Sequence, residues 1–206
     1  MPFTTYPARI RLAITLVLLC GFRSLLADTA QANALLQQGQ VDEAAASLHE
    51  LLSAQPDDAI AHQLLCRVDY AQDMADNAIR ECELAVSNDP ASSENQMWLA
   101  RAYGFKASHA NPISALSLAI KVRVAFERAV QLDPENINAM SDLGEFYVAA
   151  PSLIGGGLDK ARALAARMQP HFPSQAHRLL ALVAEKKKED SIAEANAEHA
   201  IHKRRI

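Results

Sequence analysis

The sequence predicts an all-α chain, a solenoid of about five stacked helix hairpins. Three observations carry that expectation. Proline recurs after helical runs, at Gln55-Pro56, Asp89-Pro90 and Asp133-Pro134, and Pro56 and Pro90 stand 34 residues apart, the length of one helix–turn–helix repeat. Other positions keep the same register, namely Ala44 with Ala78, Leu48 with Cys82, and Leu51 with Ala85. The composition agrees, with 50% hydrophobic, 21% charged and only 5% aromatic residues and abundant alanine. Small residues suit close helix–helix packing better than sheets, which favour β-branched and aromatic side chains. Seven glycines and nine prolines in 206 residues exclude collagen-like and low-complexity chains.

Residues 1–27 have the layout of a secretory signal. Arg9 and Arg11 precede an apolar run from Leu12 to Phe22, no acidic residue appears before Asp28, and Ala27 offers a small exit residue. The run has 11 residues, whereas a spanning helix needs about 20. The mature chain is therefore expected to be exported, periplasmic or beyond, and to meet a membrane only if this segment is retained as an anchor.

Residues 28–206 divide into five expected hairpins, at about 28–58, 59–92, 93–136, 137–175 and 176–206. In the first, Gly39 sits in the turn, Asp42-Glu43-Ala44 opens the second helix and Pro56 ends it. The second has the full 34-residue length. The third carries ten extra residues. Asn111-Pro112 supplies a helix start, a cap followed by proline at the first helical position, from which a helix can run to about Leu132. The fourth carries five extra residues around Pro151-Ser-Leu-Ile-Gly-Gly-Gly157. The fifth has Leu182 and Ala195 in register and stops inside its second helix. Each pair leaves an apolar face uncovered, so stacking is required for stability. Trp98, Tyr103, Phe126 and Tyr147 are expected to fill the space between pairs.

The segments QGQVDEAAASLHELLSAQPDD and AFERAVQLDPEN resemble parts of a tetratricopeptide repeat (TPR), and the likeness extends over nearly all of residues 28–206. It implies a short right-handed superhelix whose concave side is lined by the first helix of each pair and holds an extended peptide or a partner helix. The register places Gln63, Arg67 and Tyr70 there, then Met97, Arg101 and Phe105, then Ser141 and Glu145. Arg67 and Arg101 occupy equivalent positions in adjacent repeats. Two guanidinium groups there would grip carboxylates bidentately; the plainer alternative is that Asp69, Glu94 or Glu145 pairs them. The carboxylate clamp of chaperone adaptors in this family needs lysine, asparagine and arginine. Asn33 matches one position, but Leu64, Glu94 and Trp98 stand at the others, so that clamp is not expected. The stretch AAPSLIGGGLDKARALA resembles a loop of exported helical-repeat proteins, among them the periplasmic T component of TRAP-type transporters. That likeness implies an alternative role, docking a solute-binding protein.

Other chemistry is sparse. The glycine stretch lacks the spacing and preceding strand of a phosphate loop, and its glycines are expected to serve turns and close backbone approach. Cys66 and Cys82 belong to facing helices. They form either a disulfide, which an exported protein permits, or two small core residues placed about one turn out of step. His199 and His202 are two ligands where zinc needs three or four, so no metal site is expected. No catalytic motif or cofactor fingerprint is present, so neither enzyme activity nor a cofactor is expected. Residues 28–100 carry 13 acidic and 2 basic residues, a charge of −11, and residues 101–206 carry 11 acidic and 15 basic, a charge of +4. A general nucleic-acid binder would be basic throughout. The split polarity permits head-to-tail self-association. Glu185-Lys-Lys-Lys188 and the basic end His202-Lys-Arg-Arg-Ile206 read either as a basic patch for an acidic lipid or protein or, more plainly, as a solvated final helix pair.

Taken together, these features point to a non-catalytic protein–protein interaction scaffold in the cell envelope, with a protein or peptide partner.

Overall fold

The computed structural model describes residues 29–203, with side chains as far as residue 195. The export segment and Arg204–Ile206 lie outside the described residues, and of His199 and His202 only the helical backbone is described. All regular structure among the described residues is helical, and these residues fall into two compact units that divide between Asn88 and Asp89.

The first unit holds two hairpins. Helix α1 covers residues 29–37 and is followed by α2 (Val41–Ala54), α3 (Ala59–Ala71) and α4 (Ala75–Asn88). The turn between α1 and α2 needs Gly39, whose φ of 77° is the left-handed conformation that glycine adopts without a Cβ penalty. Helix α2 ends at Ala54 with Gln55 as its cap, before Pro56, because proline has no N–H to continue the ladder. Asp58 then caps α3, accepting from the Ala61 N–H at 2.9 Å. The core joins Ala32, Ala44, Leu48, Leu51, Ala61, Leu64, Leu65 and Val68. The alanines let the helices approach closely, and the leucines fill what remains.

Between α3 and α4, Cys66 and Cys82 form a disulfide with Cα atoms 5.2 Å apart. Of the two alternatives the structure takes the bridge, and the two cysteines stand level with one another rather than one turn apart. Beside the bridge lies a buried polar seam. His62 links Glu81, 2.8 Å from its Nδ1, to the Pro56 carbonyl, 2.8 Å from its Nε2. Asp69 is 6% exposed. Burial, and Glu81 after it, push its carboxyl up from 3.8 to about 6, against the opposing pull of Arg80 and His49.

The second unit begins with a long hairpin, α5 (Ser93–Ser108) and α6 (Pro112–Leu132). Its caps are local. Ser92 accepts from the Asn95 N–H, and Asn111 accepts from the Ser114 N–H with Pro112 at the first helical turn. Helix α6 runs the 21 residues that the Asn-Pro start and the Asp133-Pro134 stop define. Helix α7 (Ile137–Ala149), capped by Asn136, is followed by a 3-10 turn (Ser152–Ile154), α8 (Leu158–Met168) and α9 (Pro173–Lys203). The last differs from expectation. In place of a fifth hairpin there is one unbroken 31-residue helix. It opens three residues earlier than residue 176, at Pro173, whose fixed φ suits a first helical position.

Tyr103 and Phe126 are both buried, at 8% and 6% exposure. Helix α7 lies against both α5 and α9. Gly144 makes the second of these contacts possible, because a Cβ there would sit 2.6 Å from a methyl of Leu179. The glycine loop is equally constrained. Gly155 and Gly157 have φ of 92° and 145°, and a Cβ on Gly156 would lie 1.8 Å from the Ala150 carbonyl oxygen. Arg123 of α6 fastens the loop by donating from Nε to the Ile154 carbonyl at 3.1 Å.

Candidate functional site

In the second unit α5, α7 and α9 lie side by side, and their shared face collects polar groups that the core excludes. On α5 the stripe Met97, Ala100, Tyr103 points inward and is buried. The neighbouring stripe Glu94, Trp98, Arg101, Phe105 is exposed or half-buried, as a 3.6-residue period dictates. Met97, expected on the open surface, is thus corrected to the core at 1% exposure. Trp98 is half-buried rather than a full spacer between pairs. Its indole N–H donates to Glu94 at 2.9 Å, and the Arg101 guanidinium lies 4.6 Å from its ring centre, a cation–π distance.

Arg101 then crosses to α7, where its Nε is 2.6 Å from Asp142. One turn on, Glu145 of α7 pairs with Arg178 of α9. The expected carboxylates were Asp69, Glu94 and Glu145; of these only Glu145 enters an arginine pair on this surface, and its partner is Arg178. Phe105 packs edge-on against His109, with ring centres 5.0 Å apart.

Two hollows flank the Glu145–Arg178 pair along the α7–α9 groove. One, of about 440 Å³, is lined by Ile137, Asn138, Ser141, Asp142, Gln175 and Arg178. The other, of about 460 Å³, is lined by Glu145, Val148, Ala149, Arg178 and Leu182. The first offers hydroxyl, amide and carboxylate groups; the second is largely apolar. Arg178 borders both, with its side chain 62% exposed. Asp142, Arg178 and Leu182 were not among the expected site residues. Arg178 falls on the first turns of α9, whose start is signalled in the sequence by Phe172-Pro173, because proline suits a first helical position.

A third hollow, of about 350 Å³, lies by the glycine loop and is lined by residues that include Tyr147, Pro151, Lys186 and Asp190. Tyr147 donates to Glu127 at 3.0 Å. Burial, then that hydrogen bond, push its phenol up to about 12, so it remains a donor. Lys186 is taken up by Asp190 at 2.9 Å.

In the first unit the expected residues of α3 divide. Gln63 is corrected to the core, 6% exposed with its Nε2 unpartnered, because α3 is enclosed on nearly every side. Arg67 and Tyr70 are half-buried, and Arg67 donates to Asn33 of α1 at 3.1 Å. Among the described residues no cluster could hold a metal ion, and no helix is long and apolar enough to cross a membrane.

The fold is the tetratricopeptide-repeat solenoid. Solved structures similar to this chain include TTC0263, a thermophilic TPR protein of Thermus thermophilus, at 17% identity and a TM-score of 0.61, covering 86% of this chain and 98% of that one. MamA is similar at 20% identity and a TM-score of 0.59, covering 87% and 91%. The first TPR of Spaghetti (RPAP3), bound to an HSP90 peptide, is similar at 18% identity and a TM-score of 0.50, covering 60% and 90%. No protein-family model matches the chain, and no curated protein does.

Proposed function

We propose that this protein is a non-catalytic interaction scaffold whose α7–α9 groove receives an extended peptide or a helix of a protein partner. The observation that carries the reading is Arg178, an exposed cation between a polar hollow and an apolar one, lightly tied to Glu145. An exposed ion pair of this kind is worth only about 0–1 kcal/mol, so an incoming carboxylate can replace Glu145 at little cost. The apolar hollow at Leu182 then takes a neighbouring aliphatic side chain. The HSP90 peptide held by the RPAP3 domain lends support by showing a peptide on a similar fold. The missing clamp residues argue that this chain reads a different peptide.

An exported location remains part of the proposal. It rests on the layout of residues 1–27, and the Cys66–Cys82 disulfide supports it, because disulfides persist in oxidising compartments. A dock for a solute-binding protein at the glycine loop rests on the sequence likeness alone.

Peptide display against the full chain tests the groove. Selected peptides should share an acidic residue near an aliphatic one, and Arg178→Ala should abolish their retention while Arg162→Ala on α8 leaves it intact. Equal retention by both variants would refute the assignment.

A further inference from the structure

The outward face of α6 carries what a solvated helix face does not. Its inward face is built from Val122, Ala125, Phe126, Ala129 and Val130, all buried. On the opposite side, at spacings of three and four residues, stand Ile113, Leu116, Ile120 and Val124, exposed by 84%, 45%, 42% and 52%. That spacing makes one continuous stripe, about 16 Å long at 1.5 Å per residue. Leu153, 87% exposed, stands in the 3-10 turn that Arg123 ties to α6. Residues 112–120 contain no charged side chain. Four large aliphatics in a row on the solvent side of a helix mark a contact surface rather than a scatter of exposed residues.

We propose that this face joins two copies of the chain through an antiparallel α6–α6 contact. The stripe is nearly symmetric about Leu118, so a two-fold axis there sets Ile113 against Val124 of the other copy and Leu116 against Ile120. Self-complementarity of that kind is what an isologous dimer requires. Charge selects the direction. The cations of α6, namely Lys121, Arg123 and Arg128, follow the uncharged stretch. In the antiparallel arrangement Lys121 and Arg123 fall opposite the uncharged segment Ile113–Leu116 and Arg128 lies beyond the stripe, whereas a parallel one would set Lys121 against Lys121. Arg123 is also neutralised locally by Glu127 at 2.8 Å. A stripe about 16 Å long on each copy makes a contact at the small end of the specific range, where roughly 1,000 Å² must be buried in total.

The test is sedimentation equilibrium of the full chain beside Leu116→Glu/Ile120→Glu. Both sites are exposed, and circular dichroism establishes that the variant keeps its helices. The wild type should dimerise with rising concentration and the variant should remain monomeric over the same range. Chains bearing Leu116→Cys mixed with chains bearing Ile120→Cys should yield a 116–120 cross-linked peptide, and neither alone should cross-link efficiently at these positions. A monomeric wild type, unchanged dimerisation of the variant, or cross-linking of 116 to 116 would overturn the proposal. So would stripe-dependent binding to anionic vesicles by a chain that stays monomeric.

Discussion

Replacing Asp69 by asparagine should stabilise the first unit, and should do so only above acidic pH. The carboxyl is 6% exposed on α3 and titrates at about 6 in the folded chain instead of 3.8. Below pH 3.8 it is protonated whether the chain is folded or not and costs nothing. Above about 6 it is ionised in both states, and the folded state carries the whole penalty of a desolvated charge beside Glu81. Stability therefore falls as pH rises between those values, opposite to the behaviour of a salt-bridged carboxylate. The gap corresponds to about 3 kcal/mol. The asparagine amide keeps the shape of the side chain without its charge, so Asp69→Asn should match the wild type near pH 3.5 and exceed it by about 2–3 kcal/mol at pH 7. Urea unfolding followed by far-UV circular dichroism at several pH values measures the difference, and hydrogen exchange on α3 amides assigns it to the first unit. A difference that does not change with pH would refute the argument, and so would a variant less stable than the wild type at pH 7.

Two further outcomes follow from the backbone and the bridge. Gly156→Ala drives a Cβ into the Ala150 carbonyl and should cost roughly 2–3 kcal/mol in thermal unfolding. Gly39→Ala meets nothing within 4 Å and should cost only the left-handed conformation, about 1–2 kcal/mol; equal losses would contradict this account of the loop. Cys66→Ala/Cys82→Ala opens a bridge across a sequence separation of 16 residues and should lose about 3 kcal/mol. Reductant should destabilise the wild type by a similar amount and leave the variant unchanged.

Much of the fold is legible in the sequence, because helix ends are local events. Asn111-Pro112 and Asp133-Pro134 bound α6, Gly39 turns the first hairpin, and a 34-residue period sets the pairing of helices. These depend on φ limits, missing donors and side-chain caps that act within four residues. The candidate groove is less legible. Ser141 and Glu145 line it as repeat register implies, and Arg101 reaches its edge through Asp142. Met97 and Gln63 fall in the core, however, because repeat register gives a helix's place but only its packed rotation decides which stripe faces water.

The sequence alone determined where helices begin and end, that they pair and stack, and that Gly155–Gly157 must form a tight loop. Tertiary structure alone decided how far each helix slides along its neighbour. That packing, in offset and in rotation, brings Cys66 to Cys82, sets Arg178 of an unbroken α9 against Glu145, and leaves the Ile113–Val124 stripe on the solvent side of α6. Axial offset and rotation arise from interlocking side chains across a whole interface, and no short segment encodes such a sum by itself.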